Sequence, residues 1–244
     1  MDPARGDALT TFHQAQPGIL GRMDAAQNYN AWLLDRARPH LGQRVLDLGA
    51  GIGTFSAALA GLGGHVVAVE PDPALAPALR ARLAGRENVL VLEQGLEELT
   101  AEAIGGAVDA IVCFNVLEHI ADDVGALGRM RELLAPGGRL LLLVPAHPAL
   151  TGAVDAAVGH ERRYTRSGLA AAACSAQLTV RELRHVNPVG ALGWLVSSRL
   201  LRVDDVPAGP LALYDRLVPA LRLLDALRLP FGLSLWCVAE RGGG

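Results

Sequence analysis

From Arg44 onward, short apolar runs alternate with stretches of helical spacing, and this alternation constrains the fold more than any other feature of the chain. Strands are predicted at about 44–48, 65–69, 88–92, 108–114 and 138–144, each β-branched or Leu-rich and bounded by Gly, Pro or Asp. The run Arg139-Leu-Leu-Leu-Leu-Val144 has no polar interruption after its first residue, as expected of a strand covered on both faces. Between runs the period becomes helical. Val124, Leu127, Met130 and Leu134 recur on one side of a predicted helix, which Pro136-Gly137-Gly138 is expected to end. Strand, helix and strand repeated four times imply right-handed crossovers and a parallel sheet, hence an α/β fold with helices on both faces.

The flanks extend this pattern. Residues 1–43 read as an N-terminal helical cap in which Ala31, Leu33, Leu34 and Ala37 face inward before Pro39 stops the run. Residues 44–186 form the core. Residues 187–244 supply a helical excursion near 189–229 and a final strand, Leu233 to Glu240. A helix near 166–176 and a strand near 178–186 bring the strand total to seven. All of this fits one domain of 244 residues, with Gly242-Gly243-Gly244 as a disordered tail.

Charge narrows the function classes. A net charge of −3 without a basic tract argues against nucleic-acid partners, which require phosphate-neutralising patches. Every basic residue besides histidine is Arg, so chemistry needing a Schiff-base or phosphate-loop lysine is excluded. Cys113, Cys174 and Cys237 are far apart and show no metal-ligand spacing, so no metal site is expected and a reducing cytoplasm fits. The apolar stretches Leu140 to Val154 and Val189 to Val196 are too short or too interrupted for a spanning helix, and no export signal opens the chain.

The most informative segment is Val45-Leu46-Asp47-Leu48-Gly49-Ala50-Gly51-Ile52-Gly53-Thr54. It is a buried strand running into a glycine-rich turn at a helix start, where the backbone can approach a ligand and the helix N-terminus favours negative charge. A dinucleotide site would place its third glycine one position later, at Thr54. Glu70 ends the second strand, where an acidic side chain can accept hydrogen bonds from both ribose hydroxyls of a nucleoside cofactor.

These residues, with Glu70-Pro71-Asp72, Asn115-Val-Leu-Glu-His-Ile120 and Leu134-Ala-Pro-Gly-Gly138, closely resemble class I S-adenosylmethionine-dependent methyltransferases over roughly residues 28–240. The resemblance implies a Rossmann-like, seven-stranded, mostly parallel sheet with an antiparallel last strand, and S-adenosyl-L-methionine as cofactor. It implies that Asp47, Gly49, Gly51 and Gly53 surround the methionine part of the cofactor, that Glu70 and Pro71 lie at the ribose, and that Asn115 with Val116 passes the sulfonium end. Tyr29 looks like the aromatic that many relatives place over the cofactor carboxylate; packing of the first helix onto the sheet is the alternative. Relatives carry an Asp after the third strand for the adenine amino group, whereas Gly95 stands there in Glu93-Gln94-Gly95-Leu96-Glu97. The backbone around Leu96 is then expected to hold adenine, with Glu97 as a further partner.

The stretch Asp155-Ala-Ala-Val-Gly159-His160-Glu161-Arg162-Arg163-Tyr164 resembles an element of a bacterial subgroup, some members encoded beside glycosyltransferases, in which a Gly-His-x-Arg-Arg-Tyr segment closes over the site. Residues 146–165 are accordingly expected to act as a lid. His160 is the leading candidate general base, since imidazole takes a proton near neutral pH. In the alternative, His160, Arg162 and Arg163 hold the lid through carboxylates such as Asp155. His147 is the second catalytic candidate and His119 a weaker one, while His13, His40, His65 and His185 read as solvated or structural.

Methyl transfer from a sulfonium consumes charge, so placement of the nucleophile in a dry pocket supplies most of the advantage. No Asn-Pro-Pro-Tyr or Asp-Pro-Pro-Tyr follows the fourth strand, which disfavours amino groups of nucleic-acid bases or glutamine as acceptors. The reading is a small-molecule acceptor: a secondary metabolite, a sugar or a lipid intermediate. Two rivals stand beside it, an NAD-dependent oxidoreductase and a repurposed cofactor-binding protein without methyl transfer. The excursion from Pro188 to Pro230, with Trp194, Tyr214, Arg199, Arg202, Arg216 and Arg222, serves as extra core or a homodimer face, as a cover for the acceptor pocket, or as a membrane-surface element.

Overall fold

The computed structural model describes residues 20–195 and 208–243. Seven strands form one sheet: β1 (Arg44–Leu48), β2 (His65–Val69), β3 (Val89–Leu92), β4 (Val108–Phe114), β5 (Leu134–Pro145), β6 (Leu178–Val186) and β7 (Ser234–Arg241), in the spatial order β3-β2-β1-β4-β5-β7-β6. The pairs from β3 to β5 are parallel. β7 runs antiparallel to both β5 and β6. This is the predicted fold class, a mostly parallel Rossmann-like sheet with an antiparallel last strand.

Strand alternation divides the core into two layers. Leu46 and Leu48 of β1 pack with Leu127, Met130 and Leu133 of α4 (Asp123–Leu133) and with Leu169 and Ala173 of α6 (Arg166–Ser175). Val45 faces the other layer with α1 (Gln27–Ala37) and α2 (Thr54–Ala60). Leu140, Leu141, Leu142 and Leu143 are fully buried, even and odd positions alike, because helices cover β5 on both sides. Each such leucine contributes about 1.5–3 kcal/mol of burial. The third helix of the crossovers, α3 (Ala76–Leu83), packs Leu79 and Leu83 beside Ala50 and Ala68.

Several expectations need correction. Only turns, and no α-helix, fill 93–107 between β3 and β4, where glycines at 95, 105 and 106 interrupt any helical run, so one of the four expected crossover helices is absent. Pro136-Gly137-Gly138 does not end α4. The helix stops at Leu133 because Leu134 is already extended and buried in β5, and the Pro-Gly-Gly turn bulges out between the Val108↔Leu134 and Ala110↔Arg139 pairs. Val124 is exposed, since the buried stripe of α4 is Ala126, Leu127, Met130 and Leu133. On α1 the inward residues are Tyr29, Trp32, Leu33 and Ala37, while Ala31 is exposed. Trp32 takes the inward position because it lies within 5.6 Å of the Tyr29 ring in the same cluster.

The excursion contains α7 (Pro188–Leu195), α8 (Ala208–Leu221) and a 3₁₀ turn over Leu224–Leu227. Tyr214 and Val218 of α8 pack against α1, and Asp215 accepts hydrogen bonds from the Asn28 and Tyr29 amides at 3.3 and 2.9 Å. A neighbouring helix thereby caps α1, whose own N-cap residue, Ala26, has no side-chain acceptor. The expectations for residues 1–19, including His13, for Arg199 and Arg202, and for Gly244 lie outside the described residues.

Candidate active site at the carboxyl edge of the sheet

The β1 chain leaves the sheet at Gly49 and turns through Ala50, Gly51 and Gly53 into α2. The Gly49 and Ala50 amides both donate to the Val69 carbonyl at 2.9 Å, tying the turn to the end of β2. Gly49 has φ +72, and a Cβ there would lie 2.3 Å from Val116 Cγ2. Gly51, at φ +57, has Leu20 against its outer side: a Cβ there would lie 3.5 Å from Leu20 Cδ1. Leu20 belongs to a helical segment over 20–25 that is pinned above the turn by Asp24, which accepts from Thr54 Oγ1 at 2.6 Å and from Arg82 Nη2 at 2.7 Å.

Two carboxylates frame this turn. Asp47 shares Val45's side of β1 and so points toward α2, where its Oδ2 accepts from Ser56 Oγ at 2.5 Å. Burial raises its pKa to about 6, with the Ser56 hydrogen bond opposing. Glu70, just past β2, accepts from the Gly51 amide at 2.7 Å through Oε2 and from the Asp72 amide at 2.9 Å through Oε1. Burial raises its pKa as well, against those two amides. Pro71 beside it is exposed. Leu96 is buried in the core layer next to α4, and Glu97 is exposed. Between them and β3, Gln94 carries a buried amide oxygen without a hydrogen-bond partner, one residue before the Gly95 that stands where relatives carry an Asp.

Asn115 follows β4 with φ +55 and donates its amide to the Leu143 carbonyl at 2.8 Å, which places Val116 over Gly49. Tyr29 is buried between the rings of Trp32 and Tyr214, at 5.6 and 6.2 Å. That environment is the helix-packing one of its two readings.

Residues 146–165 leave and rejoin the end of β5. Ala146 bridges Tyr164, the His147 amide donates to the Tyr164 carbonyl at 3.0 Å, and the Tyr164 amide donates to the Pro145 carbonyl at 2.8 Å. Inside this loop, α5 (Ala153–Ala157) presents Asp155. Its Oδ1 accepts from Arg163 Nε at 2.8 Å and lies 2.7 Å from His160 Nδ1, and its Oδ2 accepts from the Gly152 amide at 2.9 Å. Burial works to raise the Asp155 pKa, but the His160 and Arg163 hydrogen bonds outweigh it and hold the group below the usual carboxylate range. Arg163 also lies over the Trp194 ring at 4.6 Å. Arg162 pairs with Asp123 at 3.2 Å, and the Tyr164 hydroxyl donates to the same carboxylate at 2.9 Å.

The loop carries His160 onto the turn after β4. His160 Nε2 lies 3.8 Å from Glu118 Oε1, and the His160 ring meets His119 edge to face at 4.9 Å. Glu118 is fully buried, with neither carboxyl oxygen hydrogen-bonded; burial raises its pKa to about 8. Burial and the neighbouring His160 lower that of His119 to about 4. His147 is not in this cluster. Its ring stacks on His185 at 4.8 Å and 1°, and its Nε2 is buried without a hydrogen-bond partner. Glu118 is not among the sequence candidates; its one signal is an ionisable residue set inside the apolar run Val116-Leu-Glu-His-Ile120.

The donor set fits an adenosyl sulfonium compound: a glycine turn at positive φ, a buried carboxylate at the end of β2 and an orphaned acceptor after β3. Residues 46–140 match the family model described as a methyltransferase domain. The ubiquinone biosynthesis O-methyltransferase of Xanthomonas oryzae pv. oryzae is 39% identical over 104 residues, 41% of this chain and 42% of that protein. The match thus spans less than half the length of this curated relative. Among solved structures, the 1,6-didemethyltoxoflavin-N1-methyltransferase of Burkholderia thailandensis, with 1,6-didemethyltoxoflavin and S-adenosylhomocysteine bound, has TM-score 0.58 at 22% identity, covering 99% of this chain and 88% of that one. The [4+2]-cyclase SpnF has TM-score 0.59 at 16% identity, covering 87% and 81%. At these identities the structural likeness speaks for the fold alone. No helix among the described residues is long and apolar enough to cross a membrane.

Proposed function

We propose that the chain transfers a methyl group from S-adenosylmethionine to a small-molecule acceptor: a secondary metabolite, a sugar or a lipid intermediate. The observation that carries this reading is Glu70, a buried carboxylate at the end of β2 that also fixes the Gly51 amide of the glycine turn. When bound, S-adenosylmethionine supplies an electrophilic methyl group. Glu70 accepts the ribose hydroxyls, the turn from Gly49 to Gly53 with Asp47 holds the methionine part, and Pro71 borders the ribose. Gln94 and the Leu96 backbone serve adenine. Asn115 and Val116 border the reacting end, and Tyr29 supports the first helix above it.

The acceptor enters between Asn115 and the 146–165 loop, which acts as its lid. Orientation in a dry site accounts for about 7–11 kcal/mol of barrier lowering in favourable cases. Asp155 anchors His160 Nδ1, which fixes the ring so that Nε2 is the atom that takes a proton from a hydroxyl acceptor, an effect of about 10²–10⁴-fold. His147 borders the same edge of the sheet and orients the acceptor. The organisation follows: residues 1–43 cap the cofactor, 44–186 hold it, and 187–244 complete the acceptor side.

The test is incubation of the full chain with methyl-labelled S-adenosylmethionine and fractionated bacterial extracts, following products heavier by one methyl group. Label in an acceptor supports the reading. Binding of S-adenosylhomocysteine without label transfer in any fraction contradicts it and favours a repurposed cofactor-binding protein.

A further inference from the structure

Glu118, His119 and His160 come together from the turn after β4 and the 146–165 loop, and their ligand atoms all lie within 4.8 Å of one another. We propose that these three side chains form a binding site for a first-row divalent cation of the zinc type. Two imidazoles and one carboxylate are the donor set of open, catalytic-type sites for such ions, as distinct from the all-oxygen sets that select magnesium or calcium.

Three observations support the assignment independently of the donor count. Glu118 is fully buried, and neither of its carboxyl oxygens has a hydrogen-bond partner, a costly state that a bound cation relieves. Both rings are anchored through Nδ1: His160 on Asp155 Oδ1 at 2.7 Å and His119 on the Gly159 carbonyl at 3.1 Å. Histidine ligands are oriented in this way, by a carboxylate or a backbone carbonyl on the opposite nitrogen, which turns the Nε2 lone pair toward the ion. Finally, the guanidinium that acts on Glu118, that of Arg163, is already committed to Asp155 and the Trp194 ring and gives Glu118 no hydrogen bond.

Around a tetrahedral ion with bonds of about 2.0–2.1 Å, donors stand roughly 3.3 Å apart. Glu118 and His160 are at 3.8 Å, so the side chains close by about 1.5 Å or less on binding. His119 and His160 are half-buried, which leaves an open side for an oxygen ligand from solvent or the acceptor. The consequence for catalysis rests on the proposed role of His160: an ion on Nε2 occupies the lone pair that would take the acceptor's proton, so the cation and base catalysis by that atom exclude each other.

The experiment is calorimetric titration of the full chain, stripped with chelator, with Zn²⁺, repeated for Glu118→Gln, His119→Ala and Asp155→Asn. Circular dichroism and S-adenosylhomocysteine binding serve as folding controls. One Zn²⁺ per chain is expected, with affinity at least tenfold weaker in Glu118→Gln and His119→Ala, and 10–100-fold weaker in Asp155→Asn, which touches no ligand atom but anchors one. Absence of a one-to-one site, or a wild-type isotherm in folded Glu118→Gln, overturns the proposal. Zn²⁺ that binds at this site without slowing methyl transfer leaves the cation site standing and contradicts the role of His160 as base.

Discussion

Val116 lies directly over Gly49, so close that a Cβ on the glycine would stand 2.3 Å from Val116 Cγ2. The contact joins the turn after β1 to the residue that follows Asn115, the two halves of the proposed cofactor cradle. Gly49→Ala should cost about 2–4 kcal/mol, from positive φ and from overpacking. Replacing Val116 by Ala removes the clash but not the backbone strain. Urea denaturation of the four-member cycle should therefore give a coupling of 1 kcal/mol or more, and additivity within 0.5 kcal/mol would contradict the contact.

Asp47 gives a pH signature. Its pKa in the folded protein is about 6, raised by burial above the ordinary 3.8, so the folded state holds this proton more tightly than the unfolded chain. The stability contribution is full below about pH 4 and is lost as pH rises through 6. Asp47→Asn keeps an acceptor for Ser56 without the charge. It should be about 2–3 kcal/mol more stable than the parent at pH 8, the gap closing below pH 4. A gap independent of pH between 4 and 8, measured by thermal denaturation, would show that the carboxyl is not so buried.

Gln94 separates binding from stability. Its buried amide oxygen has no hydrogen-bond partner, so Gln94→Leu removes a desolvation cost and should raise stability by about 1 kcal/mol. The same change should weaken S-adenosylhomocysteine about tenfold if the oxygen serves the adenine amino group. Unchanged affinity would release Gln94 from that role.

His160→Ala should lower turnover about 10²–10⁴-fold while S-adenosylhomocysteine affinity stays within twofold, if the ring is the proposed base on the acceptor side. A comparable loss of cofactor affinity would make His160 a structural element of the loop instead.

Much of the fold is legible in the sequence because burial on both faces leaves its own pattern. β1, β2 and β4 occupy the predicted ranges, since their apolar runs are cut off by Gly, Glu and Asn at the points where the chain leaves the sheet. The errors arise where local signals meet tertiary ones. Pro136-Gly137-Gly138 is a strong breaker, yet it bulges a strand, because Leu134 is already paired with Val108. Trp32 is more decisive for α1 than the small Ala31, which the helical period alone cannot tell. The glycine turn is readable because positive φ at Gly49, Gly51 and Gly53 favours glycine, and Glu70 because an acidic residue breaks the apolar run at the end of β2. The Glu118, His119 and His160 cluster is not, because it joins positions about 40 residues apart through a loop whose path is set by pairing of Ala146 with Tyr164.

Glu70 and the glycine turn are proposed to bind an adenosyl sulfonium compound, and calorimetric titration of the full chain with S-adenosylhomocysteine decides whether they do. One site per chain is expected, with affinity weakened about a hundredfold or more in Glu70→Ala, from the loss of two hydrogen bonds to a charged group. Absence of binding to the parent chain, or equal affinity in Glu70→Ala, would contradict it.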